Sequence, residues 1–233
     1  MLEQEKFKWT LSDVFNVFVS VFTIEFFLYI IIKFCDLPYD AHVLYKFIIY
    51  ILQVAGMILP LYYFAVYKKG AKLKDFGFKS IGLKKTVLWV LFSYVVYIGT
   101  GVLLIMTFYS LGIGSLGFEP QKSIFEIFGR DTLGIAIAFL IALVIAPLTE
   151  EIFFRGFVLQ TLAKILGPAW GIALTALIFA SVHFEFQSIM PLLILSVVLN
   201  VLFIKTRSVW PGIVFHILNN SIAFFIVLFG IVV

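Results

Sequence analysis

Long apolar stretches recur along almost the whole chain and are separated by short polar segments. Of its 233 residues, 63% are hydrophobic and only 13% are charged. A soluble protein has little use for that much apolar surface, whereas about 20 consecutive apolar residues are what one membrane-spanning helix needs. The sequence therefore predicts an all-α, polytopic integral membrane protein.

We expect about seven membrane-spanning helices, one for each apolar run. The predicted spans are about residues 12–34, 43–66, 86–110, 132–163, 169–184, 189–204 and 209–230. The fourth run is long and contains Pro147, which would kink it or divide it in two, so eight spans are the alternative. The first run contains Glu25 and is too long for the core of a secretory signal, so we expect a retained helix. The predicted architecture is one membrane domain, residues 1–233, a helical bundle with a polar intramembrane cavity.

The connection between the second and third predicted spans is strongly basic. Residues 68–85 contain seven lysines and a single acidic residue, Asp75. Positively charged loops stay on the cytoplasmic side, so we expect residues 67–85 and the N-terminus to be cytoplasmic and, with seven spans, the C-terminus to lie outside. The other basic residues on the cytoplasmic side would be Lys6, Lys8, Lys164, Lys205 and Arg207. The net charge of +4 is then mostly a topological signal and does not predict a nucleic-acid partner.

Polar side chains interrupt the apolar runs of the C-terminal half, and six of them are candidates for a functional site. They are Glu150, Glu151, Arg155, His183, His216 and Asn220. Ionisable side chains in hydrocarbon cost several kcal/mol each unless they face a partner or a cavity, so their recurrence predicts a polar site between the helices. The single cysteine, Cys35, has no partner for a disulfide or a metal site, and no redox chemistry is predicted.

The segment EEIFFRG, residues 150–156, predicts a carboxylate base. In an α-helix Glu151 and Arg155 are four residues apart on one face and can pair, while Glu150 points about 100° away. The neighbours of Glu150 on its own face are Phe153 and Phe154, which would desolvate the carboxylate and increase its proton affinity. The alternative is that all three charges form a structural salt-bridge network.

The segments FASVH, residues 179–183, and HILNN, residues 216–220, add two histidines and an asparagine. Counted from the turn at Gly167, Glu150 and His183 both lie roughly 20–25 Å along their helices, so they can meet at one level. His216 and Asn220 share a helical face and could donate hydrogen bonds to an oxyanion. The alternatives are a buried core histidine and an interhelical hydrogen-bonding pair that stabilises the bundle.

These three segments resemble the EExxxR, FxxxH and HxxxN signatures of the CPBP family of membrane proteins, also called the Abi family, which includes type II CAAX prenyl proteases. The resemblance covers about residues 140–225, within a family core of about residues 132–230. It implies an intramembrane glutamate endopeptidase that uses neither a metal ion nor another cofactor. The first 130 residues carry none of the family's motifs.

The resemblance also implies a role for each motif residue. The first Glu of EExxxR and the His of FxxxH activate a water molecule, which assigns this role to Glu150 and His183. The His and Asn of the last motif, here His216 and Asn220, stabilise the oxyanion. The remaining motif positions, with supporting roles, are Glu151, Arg155 and Phe179. The implied substrate is a membrane-associated peptide or a lipidated protein of the CAAX type, cleaved within the lipid bilayer.

Two other functions are compatible with the same residues. Glu150, His183 and His216 could form a two-histidine, one-carboxylate site of a metal-dependent membrane hydrolase, although HExxH is absent and Arg155 would oppose a divalent cation. A non-enzymatic transporter or scaffold, such as a bacteriocin-immunity protein, would instead use the buried acids as a proton relay or only for packing. Glu25, in the first span, is expected either to pair with a neighbouring helix or to line the cavity.

Overall fold

The structure, a computed structural model, describes residues 8–34, 42–119 and 123–231, and within these ranges its regular secondary structure is entirely helical. The helices are α1 (Leu11–Phe34), α2 (Val43–Tyr67), α3 (Leu83–Ser110), the short α4 (Ile124–Phe128), α5 (Thr132–Leu166), α6 (Pro168–Val182), α7 (Ile189–Thr206) and α8 (Trp210–Leu228). The prediction of an all-α, polytopic membrane bundle is confirmed. Lys6 and Cys35 lie outside the described residues.

Each predicted span corresponds to one long helix, and the boundaries agree to within a few residues. Six of these helices, with their immediate extensions, are long and apolar enough to cross a membrane. The exception is α6, whose 15 residues extend for about 22 Å and fall short of a hydrocarbon core of about 30 Å. The fourth stretch does not divide in two, because α5 continues through Pro147 as one helix of 35 residues.

Two segments of α5 have π-helical geometry, Ile141–Ile145 and Glu151–Leu159. The first lies directly before Pro147, which has no N–H to donate and whose ring clashes with the preceding turn of a regular α-helix. The second contains most of the EEIFFRG segment. The sequence-based expectation of ordinary α geometry for this segment was therefore wrong from Glu151 onward.

The buried apolar core is centred on the C-terminal half of the chain. Its largest cluster joins α5, α6, α7 and α8 at Phe157, Phe179, Leu199 and Phe215. About half of the α7 span is buried (56%), compared with 6% of the α1 span. The last four long helices therefore form the packed centre, and α1 lies at its periphery with most of its surface exposed.

Segments that are distant in sequence meet at one end of the bundle. Trp9 donates a hydrogen bond from its indole N–H to Thr161 at the end of α5, over 2.9 Å. The backbone N–H of Val209, in the turn between α7 and α8, donates to the carbonyl of Gly77 over 3.0 Å. The start of α1, the basic segment after α2, the end of α5 and the α7–α8 turn are thus on the same side.

The other connections meet at the opposite end. The N–H of Met190 donates to the Gly117 carbonyl over 2.9 Å, and Arg130 donates to the carbonyl of Val227 over 3.2 Å. The segment after α3, the start of α5, the start of α7 and the end of α8 therefore share this side. Consecutive long helices run in opposite directions.

Asp75 links the basic segment to the N-terminal residues. Its carboxylate lies 3.3 Å from the Lys8 ammonium and accepts a hydrogen bond of 2.7 Å from the Lys72 backbone N–H. Burial opposes its ionisation, but the Lys72 and Lys8 interactions outweigh this and hold the pKa of Asp75 below its usual value. Their stabilising effect is present above the ordinary carboxyl pKa and is lost as the pH falls through the lowered one.

The contact between α5 and α6 gives a test of the packing. A Cβ atom at Gly171 would lie 2.5 Å from the Ala163 Cα, whereas nothing lies within 4 Å of a Cβ at Gly99 on α3. We expect Gly171→Ala to destabilise the protein by about 1–3 kcal/mol through overpacking, and Gly99→Ala to be neutral or slightly stabilising because alanine favours helices. Thermal unfolding in one detergent, followed by tryptophan fluorescence, would measure both. Equal midpoints would contradict the α5–α6 packing.

Candidate active site

A buried ion pair lies at the centre of the helical core. The Arg155 guanidinium donates to Glu151 Oε1 over 3.0 Å, and both side chains are completely buried. Its other nitrogens donate to Asn200 Oδ1 over 3.1 Å and to Ser196 Oγ over 2.9 Å. The ring centre of Phe179 lies 4.7 Å from Arg155 Cζ, within the range of a cation–π interaction. The predicted pairing of Glu151 with Arg155 is confirmed, and partners from three helices hold the arginine.

Ser196 and Asn200 were missed in the sequence analysis. They are fully buried, four residues apart on α7, and both face Arg155. Asn200 also donates to the Ile172 carbonyl of α6 over 3.0 Å. The signal available in the sequence was a pair of polar residues at helical spacing within an otherwise apolar span.

His216 lies between the two acids of the EEIFFRG segment. Its Nδ1 is 3.2 Å from Glu151 Oε1, and its Nε2 is 3.9 Å from Glu150 Oε2. A carboxylate can only accept a hydrogen bond, so Nδ1 carries a proton and Nε2 faces Glu150. His216 therefore connects the Glu151–Arg155 pair to the second carboxylate.

Gly212 makes room for the Glu151 side chain. A Cβ atom at this position of α8 would lie only 2.6 Å from Glu151 Oε2. Any side chain here would displace the carboxylate or push α8 away from α5. The glycine thus allows His216, one turn further along α8, to approach Glu151.

A cavity of about 550 Å³ lies between α1, α2, α5 and the end of α6. Glu150 and His183 both line it, as do Phe153 and Phe154, the two aromatic neighbours expected around Glu150. His183 Nδ1 is 2.7 Å from the Phe179 carbonyl, which can only accept, so Nδ1 is the protonated nitrogen. His183 Nε2 is left as a hydrogen-bond acceptor.

Phe179 packs against several members of the site. Its ring centre is 4.6 Å from that of His183 and 6.4 Å from that of His216. It also contacts Phe154 edge-on, at 5.0 Å between ring centres. The phenylalanine is completely buried, so it fixes the spacing between the two histidines and the arginine.

Asn220 forms a hydrogen bond between α8 and α5. Its Nδ2 donates to the Ala142 carbonyl over 2.9 Å. In the π segment the N–H of Ala146 reaches back five residues to Ile141, and the next N–H in this pattern would belong to Pro147, which has none. The Ala142 carbonyl is therefore available to Asn220. One of the two amide hydrogens of Asn220 forms this bond. Asn220 therefore makes an interhelical hydrogen bond, the alternative to an oxyanion-binding role considered from the sequence.

Neither His216 nor Asn220 is among the described residues that line the cavity. Their predicted role in binding an oxyanion remains a prediction. Among the described residues, no three His, Cys, Asp or Glu side chains are arranged so that they could hold a metal ion. The two-histidine, one-carboxylate set of Glu150, His183 and His216 is therefore not assembled as a metal site in this structure.

Residues 132–222 match the family described as type II CAAX prenyl endopeptidase, Rce1-like. The matched region begins with α5, includes all three motif segments and ends within α8. Comparison with curated proteins and with solved structures gives no significant match. The family match confirms the resemblance that the three motifs indicated.

Substitutions at Arg155 and Glu151 would measure how much the buried ion pair contributes to stability. We expect Arg155→Met to destabilise the protein by about 3–5 kcal/mol, because Glu151 would remain charged without its main partner in a dry core. Adding Glu151→Gln should restore part of this loss by removing the unpaired charge. Unfolding in detergent of the wild type, both single variants and the double variant would measure the coupling. A double variant no more stable than Arg155→Met would contradict this account.

Proposed function

We propose that the chain hydrolyses a peptide bond within the membrane, using a water molecule activated by Glu150 and His183. The premise is that residues 132–222 match the family described as type II CAAX prenyl endopeptidase, Rce1-like. The observation that carries the proposal is that these two side chains line one cavity with largely apolar walls.

The proposed reaction begins with a water molecule between Glu150 and His183. Glu150 removes one proton, and His183 Nε2 accepts a hydrogen bond from the water and orients it. The resulting hydroxide attacks the scissile carbonyl carbon, and the carbonyl oxygen becomes an oxyanion. Glu150 then gives its proton to the departing amide nitrogen as the C–N bond breaks, which restores the carboxylate.

His216 and Asn220 are the proposed donors to the oxyanion. His216 Nε2 lies 3.9 Å from Glu150 Oε2, beside the proposed base, and it would donate to the oxyanion in the ring form in which both nitrogens carry a proton. Asn220 retains one amide hydrogen besides the one bonded to Ala142. Glu151 and Arg155 are positioning residues in this proposal, because Glu151 contacts His216 Nδ1 and Arg155 pairs with Glu151.

The proposed substrate is a membrane-associated peptide, of the CAAX type or another. Phe22 and Phe26 of α1 line the cavity and are 54% and 60% exposed, so the cavity extends to a membrane-facing surface. A lipid-attached or membrane-embedded peptide can approach such a site from within the bilayer. Metal independence is part of the proposal, since the carboxylate and imidazole together supply the base.

Replacement of Glu150 would test its proposed role as the general base. Purified wild type should cleave members of a panel of quenched fluorescent peptides, prenylated and unprenylated, and Glu150→Gln should lower cleavage by about 10²–10⁴-fold. The matched control is Glu119→Gln, on an exposed segment at the opposite end from Trp9, which should retain full activity. A chelator should have no effect on the wild type.

Other outcomes would select other functions. Loss of activity with chelator and recovery with zinc would favour the metal-dependent hydrolase. Full activity of Glu150→Gln would refute Glu150 as the base. Full biological effect of this variant at normal expression would favour the scaffold or transporter.

We also propose that the end of the bundle that contains Trp9 and residues 67–85 is cytoplasmic. Lys8, Lys164 and the lysines of the basic segment lie at this end, while Lys33, Lys46 and Arg130 lie at the other. Positively charged residues are concentrated on the cytoplasmic side of membrane proteins. The Rce1-like site would then be reached by substrates tethered to the cytoplasmic leaflet.

Labelling of single cysteines on intact cells would test this orientation. Cys35 is replaced by Ala, and a cysteine is introduced either at Lys69 or at Glu119. A membrane-impermeant maleimide should label the Glu119→Cys variant directly and the Lys69→Cys variant only after permeabilisation. The reverse pattern would invert the proposed topology.

A further inference from the structure

The cavity has a polar wall that does not belong to the Rce1-like domain. Glu25 of α1 and Tyr50 and Gln53 of α2 line the same cavity as Glu150 and His183. All three lie before residue 132, where the family match begins. They belong to the part of the chain in which the sequence carries no family motif.

The packing of α1 on α2 holds Glu25 at this wall. A Cβ atom at Gly56 would lie 2.9 Å from Ile24 Cγ2 and 3.2 Å from Glu25 Oε1, so only glycine allows this approach. The Glu25 carboxylate interacts with the Gln53 side chain, as expected for a residue that pairs with a neighbouring helix. An amide donor satisfies part of a carboxylate but does not neutralise it.

The charges around the cavity are unbalanced. Glu25 and Glu150 contribute two carboxylates, and the described residues that line the cavity include no lysine or arginine. Arg155 is completely buried and already bonded to Glu151, Asn200 and Ser196. Glu25 has an amide partner but no lysine or arginine among the described residues that line the cavity. A carboxylate in such apolar surroundings is costly, and a cation supplied by a bound molecule would remove that cost.

We propose that Glu25 is a specificity-determining residue that binds a basic side chain, lysine or arginine, of the peptide substrate. The inference rests on the proposed function, because it takes the peptide bond at Glu150 and His183 as the reacting group. Both carboxylates line one cavity of about 550 Å³, so the basic residue lies within a few residues of the scissile bond. The interaction with Gln53 keeps the Glu25 carboxylate in position to bind the basic side chain of the substrate.

The test uses the 233-residue protein in liposomes and sets of three peptides that differ at one position near the scissile bond. The position carries lysine, the neutral isostere norleucine, or glutamate. We expect the wild type to prefer the lysine peptide over the norleucine peptide by about tenfold or more in kcat/KM, the range of a hydrogen bond to a charged group. Glu25→Gln should remove this preference, and the loss should appear as a higher KM for the lysine peptide and not as a lower kcat.

Charge reversal gives a second readout. Glu25→Lys should prefer the glutamate peptide over the lysine peptide, which a merely structural role of Glu25 does not predict. Equal loss of cleavage of all three peptides in Glu25→Gln, or no lysine preference in the wild type at any position, would overturn the inference and leave the proposed protease activity intact. Failure of the wild type to cleave any peptide of the panel would instead refute the proposed function and, with it, the role of Glu25.

Discussion

A single buried arginine determines how the C-terminal half of this protein is arranged. Arg155 carries a charge with no access to water, and leaving such a charge unpaired would cost several kcal/mol. Its partners come from different helices, Glu151 on α5, Phe179 on α6 and Asn200 on α7, and His216 on α8 joins through Glu151. The helices that carry the motifs must therefore converge at one point, and the proposed catalytic groups lie around it.

The π-helical geometry of α5 also helps to position α8 against α5. Pro147 removes one backbone donor, and Asn220 on α8 fills the place of that donor at the Ala142 carbonyl. In the hydrocarbon core an unpaired carbonyl is expensive, so the proline on one helix and the asparagine on another form a matched pair. Pro147 lies three residues before Glu150, and the hydrogen bond from Asn220 to Ala142 fixes α8 against the preceding turns of α5.

The N-terminal helices have a different relation to the site. The region that matches the Rce1-like family contains Glu150, His183 and the buried ion pair, whereas α1 and α2 close the cavity from the other side. Helix α1 is held mainly through α2, at the close contact near Gly56. A peripheral helix with little buried surface can change its cavity-facing residues at small cost to the core, so it is suited to determine which peptides are bound.

The sequence by itself determined the helices, because apolar runs of span length leave the backbone no other way to satisfy its hydrogen bonds in a bilayer. It also determined the pairing of Glu151 with Arg155, which is local to one helix. The π geometry, the contacts of Arg155 with α7 and the position of His216 between two carboxylates came only from the tertiary structure. So did the cavity that Glu25 shares with Glu150, because residues of separate helices meet only when packing sets the rotation and distance of each helix.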